Sequence, residues 1–223
     1  MPAWSYSALQ LFETCPRKFQ ALRVTKEVKE PEGEALRWGN YLHKQFEEYI
    51  NSRGKYVLPQ ELNRYRALLD AVLAHEGEKF CEYSVALTQS LTPTTFFGKD
   101  VWTRGKLDVL ILNGKTAYVL DWKTGKPKPD ASQVKLFALY VFALFPDVEE
   151  VKAGFVWVAD GVTNAVEIYT YLKSDTQGMW NEFLPRIKLF EDAHATNNWP
   201  VRPSGLCKAH CPVVSCPHNG NKR

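Results

Sequence analysis

Two aspartates and a lysine stand where apolar residues are expected. GKLDVLILN (105–113) and TAYVLDWK (116–123) are two largely apolar runs about Asn113-Gly114, the strongest short-range signal for a β-hairpin. Asp108 and Asp121 interrupt them, and an unpaired buried carboxylate is costly. Lys123 follows Asp121 by two residues, so the strand period sends both side chains to one face. Two acids and an amine on a sheet surface suit a divalent cation and the water it activates. The plainer alternative is a cross-strand Asp–Lys ion pair on a solvated face.

Other chemically able residues lie on either side of this hairpin. His43 sits in ALRWGNYLHKQFEEYI (35–50), a helical pattern whose buried side carries Leu36, Tyr41, Leu42, Phe46, Tyr49 and Ile50. It reads as a hydrogen-bonded core histidine or as a ligand. Gly39, one turn earlier, would admit another backbone closely. In FCEYSVALTQS (80–90) strand alternation groups Cys81 with Tyr83, Val85 and Leu87 as buried, so Glu82 faces the other way, toward the site or solvent. Downstream, Gln133 and Tyr140 are seven apart on one helix face, with Lys135 on another. Lys126 and Lys128 stand in a basic Pro-rich loop after Lys123 and could bind phosphates.

Cys207, Cys211 and Cys216 fall within ten residues near the C-terminus of a chain with five cysteines. An odd count with such clustering is a poor disulfide framework and a better metal or cluster site, in keeping with a reducing cytoplasm. A fourth ligand is needed, and Cys15, followed by Pro16, is the candidate. An iron–sulfur cluster and Zn²⁺ (which would open the choice to His210 or His218) both remain consistent with the spacing.

The elements that must position these groups follow from periodicity. Ser7 with Gln10 reads as a capping box for a helix in residues 5–23, and Pro16 breaks that run. Further helices are expected at 35–50, 59–80, 131–145 and 174–196. Strands are expected at 80–90, in the central hairpin, and at 154–158 and 165–171 about Asp160-Gly161. The result is an α/β fold: a central mixed sheet flanked by helices, with residues 1–223 as a single domain. Residues 1–24 and 200–223 would form a metal- or cluster-binding appendage, the cysteine-rich segment being clipped to the N-terminal helix. A 45% hydrophobic content supplies the core for one domain of this size. The net charge of +3 confines any nucleic-acid footprint to a local patch. No apolar run approaches the roughly 20 residues of a membrane span, and the N-terminus lacks a signal-peptide layout.

Taken together, His43 on a helix, Gly105-x-x-Asp108, Asp121-x-Lys123 after a hairpin and Gln133-x6-Tyr140 on the next helix resemble the PD-(D/E)XK nuclease superfamily. More narrowly, they look like its RecB-like branch. The opening SYSALQLFETCPRKFQ is similar to that branch's N-terminal segment. Cys15 with the three C-terminal cysteines resembles the iron–sulfur subset, which includes the CRISPR-associated adaptation exonucleases. The resemblance runs from Ser5 to Cys216. Two departures stand out: no proline–aspartate pair precedes Asp121, and the tail is C-x3-C-x4-C where C-x2-C-x5-C is usual.

The resemblance implies a restriction-endonuclease-like core and a Mg²⁺- or Mn²⁺-dependent deoxyribonuclease, an exonuclease on single-stranded DNA or frayed duplex ends. Asp108 and Asp121, His43 and the backbone carbonyl of Trp122 would hold the cation, with Lys123 positioning the attacking water. Gln133 and Tyr140 would hold the substrate, and the four cysteines a [4Fe–4S] cluster. Partners would be recombination, helicase or adaptation proteins in the cytoplasm of a bacterial, archaeal or virus-infected cell. The rival classes are a catalytically silent DNA-binding or assembly protein and an iron–sulfur or zinc sensor module.

Overall fold

The computed structural model describes residues 2–30, 33–125, 130–158 and 166–220. The chain forms two compact units, one of Met1–Glu32 with Asn181–Arg223 and one of Gly33–Trp180. The terminal unit is therefore larger than the appendage expected from residues 1–24 and 200–223. It also takes in most of the last helix.

The Gly33–Trp180 unit is built on a five-stranded sheet in the order β1-β2-β3-β4-β5. These are β1 Glu78–Leu87, β2 Thr103–Asn113, β3 Thr116–Lys123, β4 Glu150–Trp157 and β5 Val166–Leu172. Among the described strands only β3 and β4 run parallel. A parallel neighbour cannot be reached through a tight turn. Helix α5, Ser132–Leu144, supplies the crossover and buries eight of the nine positions from Val134 to Phe142. The mixed sheet expected from the sequence is thus present, and no described helix is long and apolar enough to cross a membrane.

Several boundaries differ from expectation. The β2–β3 turn is Gly114-Lys115, one residue on, because Asn113 pairs with Thr116 as part of the ladder. Gly114 takes φ +59° there, a left-handed value that glycine adopts freely. The helix expected at 59–80 is a 3₁₀ segment, Gln60–Tyr65, followed by α4, Arg66–Ala74. The Asp160-Gly161 turn lies outside the described residues, although β4 and β5 pair antiparallel as it required. On one face of the sheet, Val109, Ile111, Trp122, Val156 and Val158 pack with Leu42, Phe46, Tyr49 and Ile50 of α3 (Glu34–Asn51) and Leu69 and Val72 of α4.

In the terminal unit, α1 (Tyr6–Thr14) is capped by Ser5, whose hydroxyl accepts from Ala8 N–H at 3.3 Å. The cap is thus two residues earlier than the Ser7–Gln10 reading. Cys15 is extended, ending α1 and starting α2 (Pro16–Phe19) with proline at its first position, where the missing N–H costs nothing. α6 spans Thr176–Thr196. Arg186 on α6 grips Glu13 of α1 with two bonds of 2.6 and 2.8 Å, and Phe12, Phe19, Phe190, His194 and Trp199 form one aromatic cluster.

Candidate active site

Strand pairing lines up three acids. Cys81 pairs with Val109 and Tyr83 with Leu107, which sets Glu82 opposite Asp108; Val109 pairs with Leu120, which sets Asp108 opposite Asp121. At that level neither ladder pairs the acids themselves. In place of a ladder bond, Trp122 N–H donates to Asp108 Oδ2 at 2.8 Å. Like charges directly opposite one another destabilise a sheet. Three in a row therefore need compensation.

Part of it comes from the helices. His43, half-buried on α3, brings Nδ1 to 3.4 Å from Asp108 Oδ1 and 3.8 Å from Glu82 Oε1. Burial alone would depress its pKa, but bonds to Asp108 and Glu82 and the Asp108 and Asp121 charges raise it to about 10. The ring is thus a cation here. Glu82 is held below the usual carboxylate range, first by His43 and also by Lys106, whose Nζ is 2.7 Å from Oε2.

Asp121 belongs to an adjoining network. Its carboxylate is buried, and burial followed by the Asp108 charge raises its pKa against the pull of Lys123. Oδ1 accepts from Gln133 Nε2 at 2.8 Å, while Gln133 Oε1 accepts from Lys123 Nζ at 2.9 Å. Lys123 Nζ stands 2.5 Å from Oδ2 as a contact ion pair. The shared face of Asp121 and Lys123 is as expected. Gln133 is committed to both rather than pointing at a substrate.

His43, Glu82 and Asp108 each offer a ligand atom within 4.8 Å of the other two. Asp121 lies outside that tight group. One imidazole and two carboxylates are a donor set that suits Mn²⁺ well and Mg²⁺ adequately.

Tyr140 requires a correction. It is fully buried, with its hydroxyl bonded at 2.6 Å to that of Thr103, also fully buried. The shared helix face runs from Gln133 at the site into the core, so Tyr140 has no surface to offer a substrate. Its ring lies over Gly105, where a Cβ would come within 3.0 Å of Tyr140 Cε2. A Cβ placed at Gly39 would meet Thr124 Oγ1 at 3.4 Å, a side chain rather than a backbone. Lys126 and Lys128 lie outside the described residues.

The sequence reading also misplaced β1. Cys81 packs against the α3–α4 side, whereas Tyr83 lies 5.2 Å from Phe80 and 6.0 Å from Phe145 at the end of α5, ring centre to ring centre. Trp122 meets Phe46 of α3 while Asp121 and Lys123 meet Gln133 of α5, so these two helices cover opposite faces. The alternation therefore reverses between Cys81 and Tyr83. Glu82, at φ +50°, is the residue where it turns over. A period-two reading leaves Glu82 facing the site or solvent; its distances to His43 and Lys106 place it at the site.

In the terminal unit, Cys15, Cys207, Cys211 and Cys216 line one cavity with His210 and His218. The loop that carries three of them is tied by Asn219, whose side-chain amide donates to Cys211 O and Val213 O at 2.9 and 3.0 Å. Ser204 N–H points at Cys207 Sγ at 3.4 Å. Among the described residues, no three of these cysteine and histidine donors converge within 4.8 Å.

Comparison with known proteins bears on both regions. The family model of the PD-(D/E)XK nuclease superfamily matches residues 3–217. A crystal structure of SSO0001 is similar over 98% of this chain and 88% of its own, at 16% identity and a TM-score of 0.50. One from Eubacterium rectale, of a protein provisionally named an exonuclease, covers 90% of this chain and 84% of its own at 11% identity and a TM-score of 0.54. No curated protein matches.

Proposed function

Because the chain belongs to the PD-(D/E)XK nuclease superfamily, whose members use divalent metals and whose substrate is DNA, we propose that it is an Mg²⁺- or Mn²⁺-dependent exonuclease of the RecB-like branch. It acts on single-stranded DNA or frayed duplex ends, supplied by a helicase, recombination or adaptation protein. The observation that carries this reading is the junction of two networks: the His43–carboxylate group and the buried Asp121–Lys123–Gln133 set, joined by the bond from Trp122 N–H to Asp108. The name of the Eubacterium rectale neighbour agrees with the exonuclease reading.

His43, Asp108, Asp121 and the Trp122 carbonyl would hold the cation. When bound, it polarises a phosphoryl oxygen and lowers the pKa of water. Lys123 supplies fixed positive charge where negative charge builds on phosphorus. Gln133 is the positioning residue: it receives the Lys123 ammonium at 2.9 Å, donates to Asp121, and so fixes the distance between amine and acid. Phe155, 5.4 Å beneath the ammonium, gives it an aromatic face to rest on.

For the terminal unit, a [4Fe–4S] cluster on Cys15, Cys207, Cys211 and Cys216 is favoured over Zn²⁺. A four-coordinate zinc at about 2.3 Å from each sulfur draws its ligands closer together than these thiols lie.

The test is cleavage of end-labelled single- and double-stranded DNA, and of a closed single-stranded circle, with Mg²⁺, Mn²⁺ or EDTA. Linear substrates should be degraded from their ends with metal only, and the circle should survive. Lys123→Ala and Asp108→Ala should lower the rate at least about 100-fold while DNA binding persists. A wild-type rate matched by Lys123→Ala would refute the site assignment.

A further inference from the structure

We propose that Glu82 is a direct ligand of the metal centre, delivered by the reversal of β1 and aimed by Lys106. This rests on the nuclease reading above and extends its ligand set beyond the four groups that the superfamily motifs supply.

Three observations converge on it. Glu82 shares a compact donor group with His43 and Asp108, their ligand atoms all within 4.8 Å, and its Oε1 lies 3.8 Å from His43 Nδ1. Its other oxygen, Oε2, is taken by Lys106 Nζ at 2.7 Å, which leaves Oε1 on the His43 side. At the same sheet level Asp121, only 3% exposed, adds a buried carboxylate whose Oδ2 is held by Lys123 Nζ at 2.5 Å. A carboxylate pair beside an imidazole, with a third carboxylate next in the row, is what a divalent cation would complete.

The backbone supports the same assignment. A non-glycine residue at φ +50° inside a strand is strained, and such residues persist where surrounding structure over-determines them, often at functional sites. Here the ladder keeps count on both sides of the distortion: Phe80 with Leu110 and Cys81 with Val109 before it, Tyr83 with Leu107 and Ser84 with Lys106 after it. No residue is inserted, so the distortion corrects no slip in register. What it changes is the direction of side chains. Tyr83 moves to the α5 side, and Glu82 is left within reach of a histidine on the opposite helix. Lys106, half exposed and on the neighbouring strand, is the positioning residue that holds the carboxylate at this turn-over.

The test uses Mn²⁺ alone, without DNA, titrated into metal-free wild-type, Glu82→Gln, Glu82→Gly, Lys106→Ala and Asp108→Asn chains. Binding is followed by loss of the free-ion paramagnetic signal and by calorimetry, with melting of each metal-free protein alongside. Glu82→Gln and Glu82→Gly should each weaken Mn²⁺ at least about tenfold, and Lys106→Ala by less. Glu82→Gly keeps the left-handed backbone without a side chain, so its metal-free Tm should match or exceed that of the wild type. Wild-type affinity in Glu82→Gln with loss in Asp108→Asn would overturn the assignment and leave the nuclease reading intact. So would metal-free Tm values that collapse in both Glu82 variants, since Glu82 would then be structural. A wild-type chain that takes up no Mn²⁺ would overturn both together.

Discussion

His43 shows how a single side chain can serve two states of one site. In the metal-free protein it is a cation balancing Asp108 and Glu82, its pKa raised from 6.5 to about 10. As a ligand it must be neutral, so taking up a cation expels that proton. A raised folded-state pKa contributes stability that is fully present below about 6.5 and is lost as pH climbs through about 10. In EDTA, wild-type Tm should therefore fall more between pH 6 and 10 than that of His43→Gln, as circular dichroism would register. Equal slopes would mean that the imidazole is neutral already. His43, Asp108, Asp121 and Lys123 were legible from residue type against apolar background. Glu82 was legible only as facing the site or solvent, because reading a strand by alternation assumes an unbroken pleat, and the residue that breaks the pleat is Glu82 itself.

Between elements, the contact of α5 with β2 explains two sequence signals at once. Gly105 lacks a side chain where the Tyr140 ring lies, and Tyr140 closes its hydroxyl on Thr103 two residues before Gly105. The glycine of Gly105-x-x-Asp108 and the tyrosine of Gln133-x6-Tyr140 are thus two sides of one packing contact, which seats α5 so that Gln133 reaches Asp121 and Lys123. Tyr140→Phe would leave the Thr103 hydroxyl buried without its partner, at a cost of about 1–3 kcal/mol. Denaturant unfolding should show that loss while the cleavage rate stays within about threefold of wild type, a margin worth under 1 kcal/mol. A large drop in rate with unchanged stability would return Tyr140 to the substrate. The strands and helices themselves were largely readable from periodicity. The 3₁₀ start of the 60–74 segment and the one-residue shift of the β2–β3 turn were not, since apolar spacing is indifferent to both.

At the scale of the whole molecule, the two units rest on different kinds of support. The Gly33–Trp180 unit has a five-stranded sheet with helices on it; the terminal unit has an aromatic cluster, the Glu13–Arg186 pair and the four-cysteine cavity. If the cysteines hold a cluster, its binding energy is folding energy for that unit. Anaerobically prepared protein should carry about four irons per chain with broad absorbance near 400 nm, both lost in Cys216→Ala. Calorimetry of that variant should show one of two transitions moved to lower temperature and the other unmoved; a single shared transition, displaced as a whole, would contradict this. The sequence pointed to the cysteines and to Cys15 as their distant partner, but how much chain joins them was hidden in contacts between segments more than 150 residues apart. That arrangement sets an order of events on the ribosome. Residues 2–30 emerge before the sheet and find their partners only after 181–220 have been made, by which time the sheet has had its whole sequence available. Cys15 and its aromatic neighbours therefore stay uncovered until residues 181–220 have been made, and the four-cysteine cavity closes after the sheet has its whole sequence.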